Sequence, residues 1–369
     1  MAQLSRRAFA QLVGTAAAAS ALPLPVLARP AAVPNSIRLS ANENPYGPSP
    51  AALQAMRDAF PQARLYPDEA VDELVAQLAK LHGVSERQVL LGDGSSEILK
   101  LSAMAFTDPK RALVTADPTF EALAIAASIG GADVKKVPLD ANYAHDVGKM
   151  LDASHGAGLI YICNPNNPTA TITPDKALRN FIAAVPSDTM ILVDEAYHHY
   201  ATSSDYASVM DLVARQPNLV VSRTFSKIYG LAGLRCGYCV AQEATIRKIN
   251  AQQAWDTVNI MALVAARASL PDQQHVVEHR KRNSETRTWL RDNVQRLGFR
   301  MLPSEANFAM IDIQRDVKPV ITAMRTNGVA VGRLFPAMPH HLRVTIGTPD
   351  QMRRFVGELA KLRNVIADS

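Results

Sequence analysis

Apolar residues in the middle of the chain fall into short runs separated by stretches of helical period. Val89–Leu91, Ala112–Thr115, Leu159–Cys163, Met190–Val193 and Leu219–Ser222 are such runs. Each is too short for a helix and is expected to be a strand. Asp68–Leu81 and Pro174–Ala184 carry apolar residues at helical spacing. This alternation, from about Val71 to Ala241, predicts an α/β domain with a mainly parallel sheet covered by helices on both faces.

From Gln242 onward the pattern changes. Long helical stretches through Trp255, Met261 and Trp289 come first, then the short strands Ala306–Ile313, Val329–Val331 and Leu342–Ile346. That is an α+β layout, expected of a smaller domain. Residues 29–70 hold Pro45, Pro48, Pro50, Pro61 and Pro67 and read as a mostly irregular arm. The expected division is a leader over 1–28, the arm over 29–70 (small-domain and dimer contacts), a large domain over 71–245 and a small C-terminal domain over 246–369.

Composition changes this picture little. The 369 residues are 48% hydrophobic and 20% charged, the balance of a globular protein with room for two cores. The formal charge of +5 is spread among acids, with no basic block to suggest nucleic acid or a membrane surface as partner. The N-terminus is more informative. Arg6-Arg7 precede an uncharged run from Leu12 to Leu22, and Val26-Leu27-Ala28 puts small residues where a peptidase would cut. This predicts a Tat-type signal and a periplasmic protein, cytoplasmic if the signal is not used. No later stretch is long and apolar enough for a transmembrane helix.

Three cysteines, Cys163, Cys236 and Cys239, are too few for a disulfide framework. Cys236-Gly237-Tyr238-Cys239 has redox spacing but sits in a strand-like run, where residues three apart face opposite sides. His275-Val276-Val277-Glu278-His279 has the spacing of a zinc motif, but Arg280, Lys281 and Arg282 follow and no third ligand presents itself.

Open α/β sheets bind ligands beyond the carboxyl ends of their strands. Four polar clusters lie there. Gly92-Asp93-Gly94-Ser95-Ser96-Glu97 opens a helix whose N-terminus suits a phosphate, or is a plain serine cap. Asn164-Pro165-Asn166-Asn167-Pro168-Thr169 aims Asn167 above the sheet, or is simply a turn. Asp194, ending a very apolar strand, needs a cationic or hydrogen-bonding partner, such as a pyridinium nitrogen or an internal arginine. Lys227, beside hydroxyls and near Arg235, is a nucleophilic amine or a surface charge. Together they describe one cofactor: phosphate cradle, ring-oxygen donor, ring-nitrogen partner and Schiff-base lysine.

These segments, with Asn42-Glu43-Asn44-Pro45-Tyr46-Gly47, Tyr66-Pro67-Asp68, Ser226–Arg235 and Leu342–Thr348, resemble class I and II aminotransferases of pyridoxal-phosphate fold type I. The branch most resembled is histidinol-phosphate aminotransferase. The resemblance implies pyridoxal 5′-phosphate held as a Schiff base on Lys227, which then moves the substrate's proton, and Asp194 keeping the ring nitrogen protonated. It implies Tyr197 and Asn167 on the ring oxygen, Phe120 stacked on the ring, and Gly94, Ser95, Ser96, Ser226 and Arg235 around the phosphate. Arg343 would grip the substrate carboxylate, with Asn44 and Arg333 also at the substrate. Tyr66 would come from the second subunit of a homodimer.

Three departures stand out: Ala170 in place of glycine, Leu65 in place of arginine, and Gly332 where the branch has its substrate-phosphate arginine, with Arg333 one place later. On a strand a one-residue shift turns a side chain to the other face, unless Gly332 forms a bulge. The substrates implied are an amino acid or amino-alcohol phosphate and a 2-oxo acid. Aromatic amino-acid transamination, decarboxylation of a phosphorylated amino acid, and an exported non-catalytic binding protein stay open.

Overall fold

The computed structural model describes residues 36–367, with only the backbone described for 364–367. The leader expected over 1–28 lies outside the described residues. Strand β1 (Ile37–Arg38) begins the described chain. The large sheet follows: β2 (Val89–Asp93), β3 (Ala112–Asp117), β4 (Val134–Pro138), β5 (Ala157–Cys163), β6 (Met190–Asp194), β7 (Leu219–Thr224) and β8 (Cys236–Ala241), in the order β2-β8-β7-β6-β5-β3-β4. Strands β3 to β7 pair in parallel, whereas β8 runs antiparallel to both β2 and β7.

The central strands are apolar without interruption because both faces are covered. Ile160, Ile162, Val193 and Val221 pack into one apolar cluster, while Leu159, Tyr161, Leu192 and Val220 pack into another. That is the two-residue period of a sheet buried on both sides. Cys236 and Cys239 fall in different clusters, so they face opposite sides of β8. Burial pushes both thiols up to about 12, which leaves them unreactive.

Two elements depart from the sequence expectation. Residues Pro50–Ala59, read as irregular arm, form a helix: Ser49 accepts from Ala52 N at 3.2 Å as its N-cap, and Pro50 takes the first position, where its missing N–H costs nothing. Strand β4 gave no apolar run because it is an edge strand, and Lys135, Lys136 and Pro138 blunt such an edge.

The smaller layer holds β9 (Arg300–Met301), β10 (Phe308–Asp312), β11 (Val329–Ala330) and β12 (His341–Thr345). Strands β12-β10-β9 form an antiparallel sheet, and β1 pairs in parallel with β11. Its apolar cluster joins Leu39, Leu290, Val294, Ile311, Val344 and Phe355. Ala262, Leu263, Ala266, Leu270 and Val276 instead pack with the large sheet. Within the helix Gln273–Arg296, Val276 packs with the large sheet whereas Leu290 and Val294 pack with the smaller layer.

Candidate active site

A cleft of about 540 Å³ opens at the carboxyl ends of β5, β6 and β7, floored by the large sheet and roofed by residues of the smaller layer. At one end the helix Ser95–Phe106 points its N-terminus inward, with Gly94 in the N-cap position and no side chain capping it. Arg235 lies against this turn, donating to Ser226 Oγ at 3.3 Å, Ala232 O at 3.1 Å and Asp93 O at 3.3 Å. A Cβ on Gly94 would lie 2.2 Å from Arg235 Nη2, and one on Gly237 would lie 2.3 Å from Ser95 N. At Gly237 the clash is with backbone and only glycine fits, while at Gly94 the φ of 71° favours glycine and a larger residue would also push Arg235 aside. Arg235 itself adopts φ 61°, a strained conformation that a buried scaffold must hold.

On the cleft floor Asp194 accepts from Tyr161 Oη at 3.0 Å, Ser222 Oγ at 3.2 Å and Ala196 N at 3.2 Å. Burial nonetheless pushes its carboxyl up to about 6, against the pull of these bonds. Hydrogen bonds alone do not satisfy this charge. The Lys227 cation pulls the other way but only weakly, and a cation in direct contact would suit this carboxylate.

Lys227 reaches in from the turn after β7, its Nζ donating to Asn42 O at 3.2 Å and lying 5.3 Å from the centre of the Tyr197 ring. Burial, reinforced by the Arg343 cation, lowers its amine to about 8. A lysine so placed is neutral far more often near physiological pH than an ordinary lysine, as a nucleophile or base requires. Tyr197 accepts from Asn42 Nδ2 at 3.1 Å and packs edge-on against Phe308, and burial raises its hydroxyl pKa.

At the mouth, Arg343 donates to Asn167 Oδ1 at 2.7 Å and Ser40 O at 2.8 Å, and its Nε has no hydrogen-bond partner. Arg333 lines the same cleft. Strand β11 ends at Ala330, so the alternation of a strand does not govern Gly332 and Arg333. Gly332 N donates to Arg343 O at 2.8 Å, and a Cβ on it would lie 2.8 Å from that oxygen. Glycine is required there by close approach, and the chain leaving it delivers Arg333 to the cleft. Both guanidiniums lie near the Phe335 ring, at 4.4 Å for Arg333 and 5.1 Å for Arg343.

The cleft thus gathers Ser95, Ser96, Phe120, Asn167, Ser226 and the groups above. It does not gather Asn44. Both protons of the Asn44 amide are used elsewhere, on Ile228 O and His279 Nδ1 at 2.8 Å each, while its Oδ1 accepts Tyr46 N. Asn44 thus braces the Lys227 turn through Ile228 O. The bond to His279 requires a bare Nδ1 there, so that histidine serves this brace. Tyr66 is 80% exposed and lies outside the cleft of its own chain.

Sequence reasoning missed Asn42, Tyr161 and Gly237. Asn42, at φ 56°, also takes Thr345 Oγ1 on its N–H and Asn307 Nδ2 on its carbonyl. Its place in the Asn42–Gly47 motif was the available signal. Tyr161 and Gly237 sit inside strands and carry no local mark.

An uncapped helix end with Arg235 suits a phosphate, Asp194 suits a protonated ring nitrogen, and Lys227 suits attachment between them. Pyridoxal 5′-phosphate fits these residues. A family model for aminotransferase class I and II matches residues 34–359. The chain is 41% identical over 344 residues to histidinol-phosphate aminotransferase of Moorella thermoacetica, covering 92% of this chain and 89% of the relative. It is 39% identical to histidinol-phosphate aminotransferase 2 of Pseudomonas aeruginosa, covering 90% of each. A crystal structure of histidinol-phosphate aminotransferase from Sinorhizobium meliloti in complex with pyridoxal-5′-phosphate superposes with TM-score 0.84 at 25% identity, covering 90% of this chain and 91% of the other.

Proposed function

The chain belongs to the class I and II aminotransferases, and on that premise we propose that it passes the amino group of histidinol phosphate, or of a similar amino-alcohol phosphate, to a 2-oxo acid. The cofactor, pyridoxal 5′-phosphate, supplies when bound an electron sink for the charge left by loss of the substrate's α-proton. The amine of Lys227 takes that proton and returns it. The carboxylate of Asp194 supplies the fixed negative charge that keeps the ring nitrogen protonated. Gly94, Ser95, Ser96, Ser226 and Arg235 bind the cofactor phosphate, Tyr197 and Asn167 orient the ring oxygen, and Phe120 covers the ring. Arg343 binds the α-carboxylate of an amino-acid substrate, and Arg333 joins it on the phosphate ester that histidinol phosphate carries on the carbon replacing that carboxylate.

The observation that carries the substrate is the pair Arg333 and Arg343 at one cleft mouth, both packed near Phe335. A charge-assisted arginine–phosphate contact is worth about 1.5–3 kcal/mol, so Arg333→Ala should lower kcat/KM for histidinol phosphate about ten- to a hundredfold. It should barely change the value for phenylalanine. Equal losses on both, or none on either, would move the assignment to an unphosphorylated amino acid.

Two further readings belong to this proposal. Tyr66, exposed beside Phe60 and Leu65, reaches the cofactor of a second copy in a homodimer; sedimentation as a monomer would exclude this. The Arg6-Arg7 leader exports the folded, loaded enzyme to the periplasm. Changing both arginines to lysine should then strand active enzyme in the cytoplasm, whereas wild-type protein found wholly cytoplasmic and uncleaved would overturn export. Among the described residues no helix is long and apolar enough to cross a membrane.

A further inference from the structure

Arg333 does not face the cleft alone. Its Nη2 donates to the Glu121 carboxylate, its Nη1 donates to Leu334 O at 3.1 Å, and its guanidinium lies 4.4 Å from the centre of the Phe335 ring. Glu121 directly follows Phe120 and stands at the N-cap of the helix Ala122–Ile129, yet its side chain makes no capping bond to that helix. Its carboxylate is turned instead to a cation brought from the far end of the chain.

The pair is wet, with side-chain exposures of 53% and 52%, and an ion pair so exposed is held weakly. A phosphate offers the same guanidinium more charge and more acceptor oxygens than one carboxylate does. A substrate such as phenylalanine, whose one anionic group is the α-carboxylate bound by Arg343, brings Arg333 no phosphate to accept its protons. Glu121 therefore stands where it can decide what an incoming substrate meets: a bare cation or a neutralised pair packed on Phe335.

We propose that Glu121 is a specificity-determining residue, occupying Arg333 when the substrate carries only the α-carboxylate that Arg343 binds, and yielding it to a substrate whose phosphate ester stands in that carboxylate's place. This rests on the reading of Arg333 as a ligand of the substrate phosphate. Glu121 touches no substrate and acts through Arg333. Displaced, its carboxylate turns into solvent, which its exposure allows at little cost. One cleft then accepts both substrate classes, and Glu121 sets their ratio.

The test uses single-turnover half-reactions of the cofactor-loaded enzyme with histidinol phosphate and with phenylalanine, so that no 2-oxo acid competes for Arg333. Wild type, Glu121→Gln, Arg333→Ala and the double variant are compared. An exposed ion pair is worth at most about 1 kcal/mol, so Glu121→Gln should raise the histidinol phosphate to phenylalanine preference about two- to fivefold. The gain should lie in the half-saturating concentration rather than the limiting rate, and should vanish in the Arg333→Ala background. An unchanged or lowered preference overturns the proposal. So does an equal gain without Arg333, which would mark plain repulsion of the phosphate by Glu121. If Arg333→Ala leaves the preference at its wild-type value, the phosphate assignment falls and Glu121 with it; if Arg333→Ala cuts the preference and Glu121→Gln does not move it, Glu121 alone falls.

Discussion

Asp194 and Glu195 are neighbours at the end of β6 and are equally buried, each 2% exposed, yet the protein treats their charges in opposite ways. Glu195 turns away from the cleft and is fully provided for. Arg223 donates to it through both Nε and Nη2, at 2.9 and 2.7 Å, and Ser208 Oγ and Val209 N complete its shell. Asp194 turns into the cleft and receives hydrogen bonds but no salt bridge, and burial holds its carboxyl up near 6. One carboxylate is solved within the fold. The other is left for a ligand to solve, and that difference separates a structural charge from a functional one.

Breaking the solved pair should have the largest effect on stability. Glu195→Ala leaves the Arg223 guanidinium buried without its counter-ion, which costs about 3–5 kcal/mol. Urea denaturation should show a lower midpoint, while the folded fraction keeps its cleft. An unaltered midpoint would mean that Arg223 finds another partner and that the contrast is overdrawn.

The unsolved carboxylate should behave in reverse. Asp194→Asn is expected to lower kcat about 10²–10³-fold, the scale of a preorganised electrostatic group. Yet it should stabilise the cofactor-free protein. Because the folded carboxyl titrates near 6, above its ordinary 3.8, the folded state holds a proton that the unfolded chain has released. Wild-type stability relative to the variant should therefore fall as pH rises from about 4 to about 6. Above that range the variant should lead by about 2–3 kcal/mol. A difference that does not change with pH would show that Asp194 is already paid for inside the protein.

The smallest effect concerns Lys227, whose folded amine titrates near 8 instead of 10.5. Here the unfolded chain binds the extra proton, so the penalty is full below pH 8 and fades as pH rises toward 10.5. Lys227→Met should stabilise the cofactor-free protein by about 1–2 kcal/mol at pH 7, allowing for solvent at a half-buried side chain. Its advantage should shrink in alkaline buffer, and thermal melts at pH 7 and pH 10 would measure this.

Much of the cleft was legible because its residues follow strands in order, and strands buried on both faces are the strongest pattern a sequence carries. Asp194, Lys227 and Arg235 could be located that way, and the ordered motifs supplied their roles. What was not legible came from contacts distant in sequence. Tyr161 reads as one more apolar strand residue, and only the register that pairs Ile162 with Val193 sets β5 beside β6 and its hydroxyl beside Asp194. Asn44 sits in a motif with functional neighbours, but whether its amide meets a ligand or Ile228 O depends on the approach of His279, 235 residues away. The concern over Gly332 assumed that β11 continues through Val331. The strand stops at Ala330, so no bulge is needed to bring Arg333 round.

The helix Gln273–Arg296 contributes Val276 to the apolar cluster of the large sheet and Leu290 and Val294 to that of the smaller layer. At 1.5 Å per residue it is a continuous rod of about 36 Å, anchored near both ends. Neither cluster can melt without stripping the packing that keeps part of this rod helical, and a helix is poorly stable once its apolar face is bare. The two halves of the cleft are thus bound to a common fate on heating. A single cooperative loss of structure, rather than early release of the smaller layer, follows from one uninterrupted helix shared by two cores.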